Sequence, residues 1–83
     1  MEFKIYAIQD QKSGFLTPTF EPNDAVALRN FNHAVIATDG ILHTHAQDFR
    51  LYNIGIFDSE TAEIIPQVPS ILIAEGKDML EDV

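Results

Sequence analysis

The chain has 83 residues, no cysteine, and thirteen acidic against five basic side chains, giving a formal charge of −8. That length makes one domain (1–83) with a thin core, because a chain of this size buries only about 60–65% of its unfolded surface. The absence of cysteine excludes disulfides and thiolate metal sites, and the acidic balance repels nucleic acid backbones and anionic membranes at long range.

No apolar run approaches the length of a membrane span. The opening Met1-Glu2-Phe3-Lys4-Ile5-Tyr6 lacks the basic and then apolar pattern of a secretory leader. Residues 2–9 read as a central strand: Phe3, Ile5 and Ala7 point one way, and Lys4, Tyr6 and Ile8 the other. Asp10-Gln11-Lys12-Ser13-Gly14 is turn chemistry and should reverse the chain into Phe15-Leu16-Thr17 as a hairpin. Pro18 limits that second strand, since it brings no N–H to the ladder.

The clearest helix runs from Asp24 to about Ala37, with Asn23 as its N-cap. Ala27, Leu28, Phe31, Ala34 and Val35 form its apolar stripe, and Arg29, Asn30 and His33 its polar face. Asp39-Gly40 should end it, with Gly40 in the left-handed position. Residues 41–49 admit either a short strand or an irregular crossing.

Residues 50–57 read as a second central strand, with Leu51, Asn53, Gly55 and Phe57 on one face and Tyr52, Ile54 and Ile56 on the other. Asp58-Ser59-Glu60-Thr61 should turn it into a hairpin with Glu63-Ile64-Ile65. Pro66 and Pro69 break regularity before Ile71-Leu72-Ile73-Ala74, a short edge strand or the start of a terminal helix. Residues 75–83, with Glu75, Asp78, Glu81 and Asp82, read as a flexible acidic tail. The expected fold is α+β: a small antiparallel sheet with one main helix on one face, in the order ββ-α-ββ plus a C-terminal segment.

Motifs for catalysis are missing. There is no phosphate loop, zincin helix or nucleophile elbow, and Ser13, Ser59 and Ser70 lie in polar turns that select no nucleophile. The expectation is a non-enzymatic protein without a cofactor. His43 and His45 are weak metal candidates, because in an extended segment their imidazoles share a face; isolated surface or structural histidines are the commoner outcome. For nucleic acid the candidates are Lys4, Lys12, Arg29 and Arg50 as phosphate contacts, with Tyr52 as a stacking ring. Their scatter through the chain favours pairing with nearby acids instead.

The chain resembles the small nonstructural protein of gokushovirus-type microviruses, bacteriophages with single-stranded DNA genomes. Lys4-Ile5-Tyr6 with Asp10 matches that family's start, Pro18 and Phe20 its approach to the helix, and Ala27, Arg29 and Phe31 its helix pattern. The most specific stretch is His45-Ala46-Gln47-Asp48-Phe49-Arg50-Leu51-Tyr52-Asn53-Ile54-Gly55-Ile56-Phe57-Asp58, followed by Thr61. The resemblance implies single-stranded DNA binding during genome synthesis or packaging, in the cytoplasm of an infected bacterial cell. Two departures weaken direct DNA contact: residues 35–42 are nearly apolar where relatives carry a polar loop, and the C-terminal region is acidic. The alternative is a protein–protein interaction module in phage replication or assembly, docking on a phage or host replication or capsid protein. A continuous positive groove would favour DNA, and a negative body with an apolar patch would favour protein.

A homodimer is the expected assembly. One helix covers one sheet face, which leaves the other, carrying Tyr6, Ile8, Tyr52, Ile54 and Ile56 on this reading, for a partner.

Overall fold

The computed structural model describes residues 1–37 and 39–81. Strands β1 (Glu2–Asp10) and β4 (Phe49–Asp58) pair antiparallel at the centre of a five-stranded sheet. On the far side of β1 lie β2 (Gly14–Phe15) and β3 (Thr19–Glu21), both antiparallel to it. The Leu16 N–H still donates to the Ile8 carbonyl at 2.8 Å, after which pairing lapses at Thr17–Pro18 and resumes past the proline, which brings no N–H. On the far side of β4 lies β5 (Ile64–Glu75), reached through a turn in which the Asp58 carboxylate accepts from the Glu60 N–H at 2.9 Å.

Helix α1 (Asp24–Ile36) packs on one face of this sheet. The Asn23 side chain accepts from the Val26 N–H at 2.9 Å and so satisfies one free donor of the first turn. Ala27, Phe31 and Val35 are buried against Tyr6, Leu51 and Ala46. Leu28, expected in that stripe, turns outward beside Arg29.

The helix ends one residue early, and its end is not the expected one. Ala37 is already extended, and Gly40 sits at φ −100°, outside the left-handed region. Gly40 instead opens a second short helix, α2 (Ile41–Thr44), and a 3-10 turn (Ala46–Asp48) follows. Residues 41–48 are therefore helical rather than a strand. The Gly40 carbonyl accepts from the His43 and Thr44 N–H groups, and Leu42 and Ala46 are drawn onto the core.

The C-terminal part also differs from the sequence reading. Strand β5 runs through both Pro66 and Pro69, because it is an edge strand whose outer N–H positions need no partner. Residues 67–70 fall out of register with β4: Asn53 pairs Ile71, whereas Gly55 pairs Pro66. The segment expected as a solvated tail starts with Glu75 at the end of β5 and continues as helix α3 (Gly76–Glu81). Met79 and Leu80 pack on the helix side of the core. A side chain at Gly76 would place Cβ 2.5 Å from the Ala46 carbonyl oxygen, so only glycine lets this helix start so close to the 3-10 turn. The remaining tail positions, Asp82 and Val83, lie outside the described residues.

The most consequential local feature is a β-bulge. Ile5 pairs Gly55 but Tyr6 pairs Asn53, so Ile54 is an extra residue on β4. Its insertion switches the faces: Leu51 and Asn53 lie on the helix side, whereas Gly55 and Phe57 lie on the opposite side. The buried Asn53 amide donates to the Ile5 carbonyl at 3.1 Å and to the Gly55 carbonyl at 3.2 Å. These bonds give partners to backbone oxygens around the bulge. The radius of gyration is 13.0 Å, against about 12 Å for a compact chain of this length. The excess is that of a molecule 39 Å long and only 18 Å thick, in keeping with a single sheet layered on one side.

Candidate functional site: an open aromatic sheet face

Cross-strand partners point to the same face of a sheet, so the register assigns each side chain. Tyr6 pairs Asn53 and Ile8 pairs Leu51, both on the helix side, and Tyr6 is fully buried. Lys4 pairs Ile56, also on the helix side. Tyr6, Ile8 and Ile56 are therefore not on the open face, contrary to the sequence reading, because the helix covers the even-numbered side of β1.

The opposite face carries Phe3, Ile5, Ala7 and Gln9 of β1. Phe15 stands beside Gln9 and Phe20 beside Ile5. From β4 come Arg50, Tyr52 and Phe57, and from β5 Leu72, Glu75 and Ile64. Five of the eight aromatic residues, Phe3, Phe15, Phe20, Tyr52 and Phe57, thus share a face that no helix among the described residues covers. Phe15 and Tyr52 meet edge to face at 5.6 Å between ring centroids, and Phe20 and Phe57 at 5.4 Å. Phe3, Phe20 and Phe57 surround an apolar hollow of about 340 Å³ that opens to solvent. Phe15 and Phe20 remain half exposed.

Charge is scarce on this face. Among the described residues, its strands present only Arg50 and Glu75 there, and the Arg50 Nε donates to the Glu75 carboxylate at 3.0 Å. The Tyr52 hydroxyl, and after it Glu75, holds the guanidinium more firmly charged than usual.

The sequence-level candidates for nucleic acid contact do not converge. Arg50 and Tyr52 share the open face. Lys4 is on the helix side, 3.3 Å from the Asp24 carboxylate. Arg29 is on the outer surface of α1, beside Ala25, Leu28, Asn32 and Met79, with the sheet between it and Arg50. Lys12 sits in the β1–β2 turn, where its N–H donates to the Asp10 carboxylate at 2.9 Å.

The histidine pair is not in an extended segment, so the premise for a shared metal falls. His43 Nδ1 lies 3.1 Å from the Val35 carbonyl and must donate to it, which ties α2 to α1. His45 Nδ1 lies 2.9 Å from the Thr44 hydroxyl. Among the described residues, no three His, Cys, Asp or Glu side chains converge on a point.

A narrower cleft of about 190 Å³ lies between α1 and the β2–β3 edge, lined by Tyr6, Ile8, Thr17, Thr19 and Phe31 among others. At its end the Tyr6 hydroxyl donates to the Asp24 carboxylate. Burial, and after it this bond, pushes the Tyr6 phenol well above its ordinary value. The same bond, against partial burial and with help from Lys4, holds the Asp24 carboxyl below its ordinary value. This cluster links the helix N-terminus to the sheet.

Among the described residues, no helix is long and apolar enough to cross a membrane. No curated protein and no solved structure matches the chain. A family model, Phage ORF5 protein, matches residues 3–79 and so spans nearly the whole fold, both faces of the sheet included. This acidic protein, with its helices on one side of the sheet and an aromatic face on the other, belongs to the Phage ORF5 protein family.

Proposed function

We propose that this phage protein performs no catalysis and works as a protein-interaction module, docking through the open face of its sheet. The observation that carries this reading is the gathering of five aromatic rings on an uncovered face whose two charges are paired with each other. Large apolar patches rimmed by polar groups are the mark of protein contact. Backbone recognition of nucleic acid instead requires several unpaired cations aimed at phosphates. Here Lys4 and Arg50 are each committed to a carboxylate, and Arg29 lies across the sheet from the aromatic rings.

A second reading, single-stranded DNA binding, is favoured by one constellation: the Phe15–Tyr52 ring pair next to Arg50. Bases stack on such rings without sequence preference, and the resemblance to microvirus nonstructural proteins supports the same reading. Titration of a labelled oligothymidine at low salt and then at rising salt separates the two. Protein docking predicts no saturable binding even at low salt. Saturable binding that weakens with salt and is lost in Tyr52→Ala would replace it with the DNA reading.

A further inference from the structure

We propose that the occupant of the open face is a second copy of this chain, packed face to face about a two-fold axis. The inference rests on the protein-docking reading above and names its partner. Three features of the face favour self-association.

The first is charge. Each chain carries −8, so two copies repel almost everywhere. The open face is the neutral exception, since Arg50 and Glu75 cancel there. A basic partner would be drawn to the acidic surfaces and not to this one, whereas a second acidic copy meets the least repulsion here.

The second is shape. The face carries a half-exposed ring pair, Phe15 with Tyr52, at one end, and the hollow lined by Phe3, Phe20 and Phe57 at the other. The ring pair stands beside Ala7 and Gln9 and the hollow beside Phe3 and Ile5, four residues apart along β1, which at about 3.3 Å per residue sets knob and hollow roughly 13 Å apart. A two-fold axis midway between them brings the ring pair of each copy to the hollow of the other. An isologous contact needs this self-complementarity.

The third is area. With about 150–250 Å² per aromatic side chain, the half-exposed Phe15 and Phe20 leave roughly 200 Å² uncovered per copy. Leu72, Ile64 and the less exposed Phe3, Tyr52 and Phe57 raise this to about 500 Å². Two copies then bury about 1,000 Å², the size at which specific interfaces begin. The sheet edges offer a poorer route. β5 carries Pro66 and Pro69, and the β2–β3 edge is interrupted at Thr17–Pro18, so neither gives a continuous ladder.

The test is sedimentation of the full chain across protein concentration and at two salt concentrations, beside Phe20→Glu and Phe20→Lys. The wild type is expected to be a dimer at micromolar protein and to tighten with salt, as the repulsion between acidic copies is screened. Both variants are expected to weaken the dimer by about 30-fold or more, the effect of a central interface residue, with unchanged far-ultraviolet circular dichroism. Should the Phe20 variants misfold, Leu72→Glu, at an exposed edge-strand position, replaces them. A wild type that is monomeric at every concentration overturns the proposal, as does a dimer that persists in the folded variants. A monomer that binds an apolar-surface dye on this face, with the dye lost in Phe20→Glu, defeats the self-contact but leaves protein docking standing. A monomer whose oligothymidine affinity rises in Phe20→Lys and falls in Phe20→Glu defeats both.

Discussion

Replacing Phe31 with alanine is expected to lower folding stability by about 3–5 kcal/mol, the range for emptying an aromatic core position. Phe31 is only 3% exposed and lies at the centre of the α1 stripe, against Tyr6 and Leu51. The helix side of the sheet holds the core cluster around Phe31, and its small neighbours Ala27 and Ala34 give little to fill a cavity. The cleft between α1 and the β2–β3 edge already runs alongside the ring, so the void would join it instead of collapsing. Urea unfolding of wild type and variant gives the difference directly. A loss below about 1 kcal/mol would mean that the helix does not bury this face.

Tyr6→Phe is expected to cost about 1.5–3 kcal/mol, the worth of a hydrogen bond to a charged group, and to fall near the lower end because Asp24 is half exposed. It also changes how stability depends on pH. The Tyr6 phenol is raised in the folded state, so its contribution is fully present below its ordinary value and is lost as pH rises beyond about 10. Asp24 is lowered, so its contribution is present above its ordinary value and fades as pH falls through the folded one. Removing the hydroxyl should therefore flatten both limbs of the stability profile. Denaturant midpoints measured from acid to alkaline pH would reveal it, and parallel profiles for the two proteins would contradict the Tyr6–Asp24 link.

The sequence reveals the elements whose signals are local. Asn23 before Asp24, the stripe through Phe31, and the turn at Asp10–Gly14 each act within a few residues, and the structure places them where the residues indicate. The face of each side chain is less legible, because it depends on register between strands. A period-two reading of β4 puts Asn53, Gly55 and Phe57 together, and nothing local marks Ile54 as the extra residue that separates them. Which face of β1 the helix covers is likewise a tertiary choice, with apolar residues available on both. Reading β1 by alternation alone puts the helix on the side opposite the one it covers, so the aromatic face is hidden from the sequence although all five of its rings are visible there. Helix α3 is disguised in the sequence by acidic residues that resemble a tail, and Met79 and Leu80 are the signal that it packs.

The central claim is that the open aromatic face is buried against a second copy of this chain. Hydroxyl-radical footprinting of the wild type from submicromolar to high-micromolar protein addresses it ring by ring. The account predicts that Phe3, Phe15, Phe20, Tyr52 and Phe57 become protected together as concentration rises, while the exposed α1 positions His33 and Ile36 keep their reactivity. Unchanged reactivity of the five rings across that range, or protection of His33 and Ile36 in their place, would contradict it.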